Sequence, residues 1–118
     1  MGISFEIDNE EGLIYSIAEG KIGLEDLKTY ITDLWADPNF SPDLGHILEL
    51  RLAHQNVTKE EVKALTAALP VDHTRRLAIV ADGTKRELAL RYKEWVKEKI
   101  LVEVFTDLGS AKKWATSD

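Results

Sequence analysis

Polar and charged residues gather at two points in this chain where the sequence predicts that a strand gives way to a helix. The carboxyl ends of neighbouring parallel strands meet at one edge of a sheet, where helix amino termini also present unpaired N–H donors. If the two strands pair, we expect both groups of residues to form one polar rim. The rim comprises Arg51, His54, Asn56, Thr58, Asp82, Gly83, Thr84 and Lys85.

Two interpretations fit the rim. In the first, Arg51 and Lys85 supply charge and the helix starts supply N–H groups, which predicts a site for a small anion, a phosphopeptide or a protein partner. In the second, Thr58 and Thr84 are ordinary helix caps and Asp82-Gly83 is an ordinary turn. We favour the second interpretation of these residues, because nearly every helix start needs a cap whereas binding sites are rare.

Aromatic residues on two predicted helices offer a different kind of site. Trp35, Tyr92 and Trp95 fall on the apolar faces of these helices. Large aromatic side chains in such positions fill core volume, but a pocket for a lipid or another small apolar ligand uses the same residue types. A ligand-binding role predicts a contiguous cavity between the sheet and the helices that carry these three residues.

The sequence offers no catalytic or metal-binding motif. It has no cysteine, and the spacings of 8 and 19 between His46, His54 and His73 match no compact metal motif. His46 falls on the apolar face of a predicted strand, where we expect a buried, hydrogen-bonded imidazole. Ser110 lies in a predicted amphipathic helix rather than on a sharp nucleophile turn. We therefore expect a protein that is not an enzyme and that holds no metal and no cofactor.

Charge and hydropathy restrict the partners. The net charge of −6 disfavours nucleic acid, whose binding depends on cations that neutralise phosphates. No apolar run approaches the roughly 20 residues that span a bilayer, and the amino terminus lacks the pattern of a secretory signal. We expect a cytoplasmic protein with no transmembrane segment. A homodimer remains open. Residues 85–99 carry a net charge of +3, and the basic helix predicted there has a charge that suits an acidic partner or an anionic membrane surface, but we favour an ordinary solvated face.

Hydrophobic periodicity gives the elements that position these residues. Strands are predicted at 4–8, 13–18, 44–52, 75–81 and 101–105, with a break of the third strand at 53–56. Helices are predicted between Gly23 and Pro38, between Thr58 and Pro70, after the turn at 82–84, and from a cap at Asp107. The second helix begins with the capping-box pattern of Thr58 followed by Glu61 three residues later.

The order of these elements, ββαβαβαβα, indicates the fold class. Strands that alternate with helices pair mostly in parallel, and right-handed connections then build a layered α/β domain around one open sheet. We predict about five strands and about four helices in a single domain that covers residues 1–118. The continuous apolar run 77–80 predicts a central strand that is covered on both faces.

The predicted hairpin of the first two strands and three further segments carry a resemblance to a known family. The segment 20–27 at the start of the first helix, the strand segment 48–51 and the closing segment 104–107, with Ala111 and Trp114, resemble the SpoIIAA-like, STAS-type (anti-anti-sigma-like) family. The similarity is to its uncharacterised bacterial branch, which is related in fold to CRAL-TRIO lipid-binding domains. The resemblance implies an open sheet with packed helices.

The resemblance also implies a function. STAS-type domains regulate other proteins by binding them, and CRAL-TRIO relatives carry lipids. Anti-anti-sigma proteins have an Asp-Ser-Ser-Gly-like stretch where the third strand meets its helix, and phosphorylation of one serine switches partner binding. Residues 54–58 lack this motif, and Thr58 is the only hydroxyl residue among them. The resemblance therefore implies a non-enzymatic protein-interaction or regulatory domain, with a carrier of a small apolar ligand or lipid as the alternative.

Overall fold

The structure is a computed structural model, which describes residues 2–55, 58–67, 76–97 and 100–117. For residues 51–55, 66 and 84 it describes the backbone alone. The described residues form five strands and four helices. The strands are β1 (Gly2–Asp8), β2 (Leu13–Ile22), β3 (Gly45–Gln55), β4 (Leu77–Val80) and β5 (Val102–Phe105). The helices are α1 (Leu24–Ala36), α2 (Lys59–Ala67), α3 (Gly83–Val96) and α4 (Leu108–Ala115). The predicted element order is confirmed.

The strands form one mixed sheet in which spatial order follows chain order, β1-β2-β3-β4-β5. β1 and β2 pair antiparallel as a hairpin, and every later neighbour pair is parallel. From β2 to β5 each strand is added on the same side of the one before it, and each connection passes through a helix. Connections that are all right-handed place these helices, α1, α2 and α3, on one side of the sheet, called the three-helix side here. Only after β5 can the chain reach the other side, which α4 covers.

Each side of the sheet buries its own core. On the three-helix side, Ile14 packs with Leu34 of α1, and Ile79 packs with residues of α2 and α3. On the α4 side, Ile47 and Ala78 pack beneath the small residues of α4. Each large apolar side chain buried in this way contributes about 1.5–3 kcal/mol relative to an exposed one. All four residues of β4 are buried, which confirms the predicted central strand.

The third strand is longer than the sequence predicted. The break predicted at 53–56 is wrong for 53–55, because β3 runs to Gln55. β2 also continues past its predicted end to Ile22, and Gly20 pairs with Ala53 after a register shift. The extension of each strand supplies backbone partners for the other, a long-range effect that outweighs the loss of alternating hydrophobicity.

Short-range hydrogen bonds define the helix starts. The carboxylate of Asp26 accepts the N–H of Gly23 at 2.8 Å, and the carboxylate of Asp107 accepts the N–H of Ser110 at 2.8 Å. The predicted cap at Asp107 is therefore confirmed. The prediction that Thr84 caps α3 is wrong, because the N-cap is Asp82 and the helix begins at Gly83.

Two close contacts hold α4 against the sheet. Arg76, just before β4, donates a hydrogen bond to the carbonyl of Trp114 at 2.8 Å, and its guanidinium lies 5.2 Å from the centre of the Trp114 ring. A cation at the carboxyl end of a helix is favoured by the helix dipole. At Gly45, a Cβ atom would lie 2.2 Å from the carbonyl oxygen of Ala115, so only glycine permits this backbone approach.

We predict that Gly45→Ala lowers the free energy of unfolding by about 1–3 kcal/mol, because the added methyl group must displace the backbone of α4. Urea denaturation measures the change. Gly109→Ala is the matched control, since its Cβ would meet nothing closer than 3.6 Å and alanine favours a helix. Equal stability of the Gly45→Ala variant and the unchanged protein would contradict the close approach.

Candidate functional site

The rim lies where β3 and β4 leave the sheet. The two strands pair in parallel, with Glu49 opposite Val80 at the end of β4. Beyond that point β3 continues from Leu50 to Gln55 beside β2. The starts of α2 and α3 therefore lie at the same end of adjacent strands. For three of the predicted rim residues the structure describes the backbone alone: Arg51, His54 and Thr84. Asn56 lies outside the described residues.

Thr58 closes a capping box at the start of α2. Its hydroxyl oxygen accepts the N–H of Glu61 at 3.1 Å, and the Glu61 carboxylate accepts the N–H of Thr58 at 2.9 Å. This reciprocal pair confirms the predicted box. The Thr58 side chain is exposed, and its hydroxyl hydrogen remains able to donate to a further group.

The second half of the rim turns sharply into α3. Gly83 has φ of +56°, a left-handed conformation that other residues adopt only with strain. Asp82 and Gly83 are exposed, and Lys85 is half-buried. The backbone N–H of Lys85 donates to the carbonyl of Asp82 at 3.0 Å. The turn thus starts α3 soon after β4 ends at Val80.

The three residues of the predicted apolar pocket lie in two places. Trp35 is 37% exposed, and its ring packs 4.7 Å from the ring of Phe40 in the loop after α1. Tyr92 and Trp95 instead pack against the core between the sheet, α2 and α3. Burial raises the pKa of Tyr92 to about 12. At both places the aromatic rings pack against neighbouring apolar side chains, as core residues do.

A buried polar cluster lies beneath α1. The Ser16 hydroxyl of β2 lies 2.7 Å from the Tyr30 hydroxyl and 3.1 Å from Nε2 of His46, and the Tyr30 hydroxyl also contacts that nitrogen. The exposed fraction is 0% for Ser16 and 4% for His46. Burial is the main cause that raises the pKa of Tyr30 above its ordinary value. The expected buried, hydrogen-bonded histidine is therefore present.

The chemistry of this cluster is structural. A serine hydroxyl next to an imidazole resembles a nucleophile with its base, but a substrate cannot reach a fully buried hydroxyl. Its position on the apolar face of a predicted strand pointed to His46, whereas its two partners, Ser16 and Tyr30, were not predicted. The available signal was Ser16 itself, a polar residue in the otherwise apolar run 13–18. Within the described ranges, no three histidine or acidic side chains lie close enough together to hold a metal ion.

Comparison with known proteins supports the fold. The sequence matches no protein-family profile and no curated protein. A solved structure is similar over 97% of this chain and 94% of its own, with a TM-score of 0.68 and 16% identity. It is an uncharacterized protein of the DUF3478 family from Shewanella loihica PV-4, described as having a SpoIIAA-like fold.

At this identity the likeness concerns the fold alone. The α/β fold with a SpoIIAA-like neighbour agrees with the STAS-type resemblance, whereas the relation to CRAL-TRIO domains gains no support. Among the helices described above, none combines the length and the apolar character that crossing a bilayer requires.

We predict that Tyr30→Phe lowers the free energy of unfolding by about 1–3 kcal/mol, because Ser16 and His46 each lose a buried hydrogen-bond partner. Tyr92→Phe is the matched control. The hydroxyl of Tyr92 makes no hydrogen bond with a residue that the structure describes, so its loss costs much less. Urea denaturation of both variants gives the comparison, and equal losses would contradict a stabilising role for the cluster.

The raised pKa of Tyr92 predicts a loss of stability in alkali. The folded state holds this proton up to about pH 12, whereas the unfolded chain releases it near the ordinary value of 10.0. The stabilisation is therefore complete below pH 10 and declines by about 1.4 kcal/mol per pH unit above it. Between pH 9 and pH 11, the unchanged protein should lose about 1 kcal/mol more than Tyr92→Phe. Identical losses would exclude this origin.

Proposed function

We propose that this chain is a non-enzymatic, STAS-like interaction domain that binds a protein partner through the rim. The observation that carries the proposal is the parallel pairing of β3 with β4, which brings the starts of α2 and α3 to one end of the sheet. Ligands of open α/β sheets bind beyond the carboxyl ends of the strands. The SpoIIAA-like fold of the solved neighbour is consistent with an interaction role.

The side chains of the rim suit a protein surface. Thr58 and Asp82 are exposed, and Lys85 is half-buried. These side chains at the helix starts offer hydrogen-bond donors, acceptors and a cation. Such groups make specific polar contacts, which determine partner choice and association rate.

The alternative is a carrier of a small apolar ligand of CRAL-TRIO type. It would need Trp35, Tyr92 and Trp95 around one cavity, but Trp35 packs with Phe40 while the other two pack in a different cluster. We therefore rank the carrier second. A cytoplasmic location agrees with the interaction role and stays a prediction.

We predict that Lys85→Glu weakens partner binding at least about tenfold, since reversing a charge at an interface repels the groups that the lysine attracts. The measurement is affinity capture from the organism that supplies the gene, followed by a titration with the purified partner. Lys113→Glu is the matched control, because it makes the same charge change at an exposed position of α4, on the other side of the sheet.

A second pair of variants tests the other half of the rim. Thr58→Ser and Thr58→Asp both preserve an N-cap side chain, so both should fold with little change in stability. Only the aspartate adds a negative charge, and only it should alter partner binding. If Lys85→Glu and Thr58→Asp bind the partner as tightly as their controls do, the rim is not the interface.

A further inference from the structure

Among the residues that the structure describes, α4 covers only part of its side of the sheet. It packs on β3, β4 and β5 and reaches Leu13 and Tyr15 of β2, and the rest of the outward side of β1 and β2 lies beside it. On these two strands Ser4, Glu6, Glu19 and Lys21 are exposed. Ile17 is half-buried, as is Tyr15, whose hydroxyl donates to the Glu49 carboxylate. Register places Glu6 next to Tyr15 and Ser4 next to Ile17. We call this surface the open face.

The dimensions of the open face suit one helix. Two adjacent strands are about 10 Å wide, and an α-helix with its side chains is about 10 Å across. A helix laid beside α4 would complete the layer on this side of the sheet and cover the exposed parts of Tyr15 and Ile17. Because this surface also presents the carboxylates of Glu6 and Glu19, the helix that it favours is basic around an apolar residue.

The chain itself carries such a helix. Arg86, Leu90, Lys93 and Lys97 recur along α3 at intervals of four, three and four residues, which places them on one stripe. Leu90 is 43% exposed, and Leu101 just beyond the helix is 57% exposed. Lys93 and Lys97 pair with Glu103 and Glu94, but these partly exposed ion pairs are weak enough to exchange for intermolecular ones.

We propose that the open face binds α3 of a second copy of this chain, with Leu90 against Tyr15 and Ile17 and with Arg86 beside Glu6. The two surfaces lie on opposite sides of the sheet, so the contact joins unlike surfaces and extends into chains or closes into a ring. A single helix on two strands is a small interface, and the association is therefore weak and reversible. It is independent of the partner-binding role of the rim.

Sedimentation velocity of the purified full chain tests the proposal. From about 10 μM to about 1 mM protein, the average mass should rise well above that of one chain. The rise should shrink when salt is increased from about 0.05 M to about 0.5 M, because salt screens the exposed charges. A single species with the mass of one chain at every concentration would overturn the proposal.

Charge exchange identifies the contact. Glu6→Lys and Arg86→Glu should each lower the association constant at least about tenfold, and the double variant should recover it because the pair is restored with its charges exchanged. Arg91→Glu, on the same helix but outside the stripe, should associate like the unchanged chain. Circular dichroism checks that each variant folds. If the double variant fails to recover association, or if Arg91→Glu is equally impaired, the proposed contact is wrong.

Discussion

The order of the strands in the sheet determines on which side each helix of this domain lies. Because β2, β3, β4 and β5 follow one another in space as they do in sequence, their three crossovers share a hand and bring α1, α2 and α3 to the same side. That side is fully layered. Among the described residues, the other side receives the short helix that follows β5, which reaches the start of β2 and leaves the rest of β1 and β2 uncovered. One topological constraint thus accounts for the rim and for the open face.

The buried cluster beneath α1 fixes how that helix sits on the sheet. Ser16 and His46 come from adjacent strands and Tyr30 comes from the helix, so their hydrogen bonds form only in one relative position. An unpaired polar group in this core would cost roughly 1–3 kcal/mol, which is comparable to the gain from burying a large apolar side chain. The cluster therefore selects one packing of α1 more strongly than it adds to stability.

Short-range features were predictable, and long-range ones were not. The capping box of Thr58 and Glu61 and the cap at Asp107 depend on residues three apart, which the sequence displays directly. The extension of β3 depends on pairing with a distant strand, and no local pattern reveals it. At the rim, the fold class correctly predicted the parallel pairing of β3 with β4, whereas the cap of α3 was predicted at the wrong residue. Thr84 has a better capping side chain than its neighbour Gly83, but the carbonyl of Asp82 already accepts the N–H groups of Lys85 and Arg86, so the helix starts earlier.

α3 contributes to the rim, to the core and to the proposed contact with a second copy. Each contribution comes from a different part of the helix. Its first turn contributes Lys85 to the rim, and its inner face contributes Ala89 and Val96 to the core. Its outer face carries the stripe that contains Leu90. A substitution on one part changes the others only through the stability of the whole helix, since these side chains point in different directions. A partner bound at the rim and a second copy bound along the stripe would therefore occupy separate surfaces of the same helix.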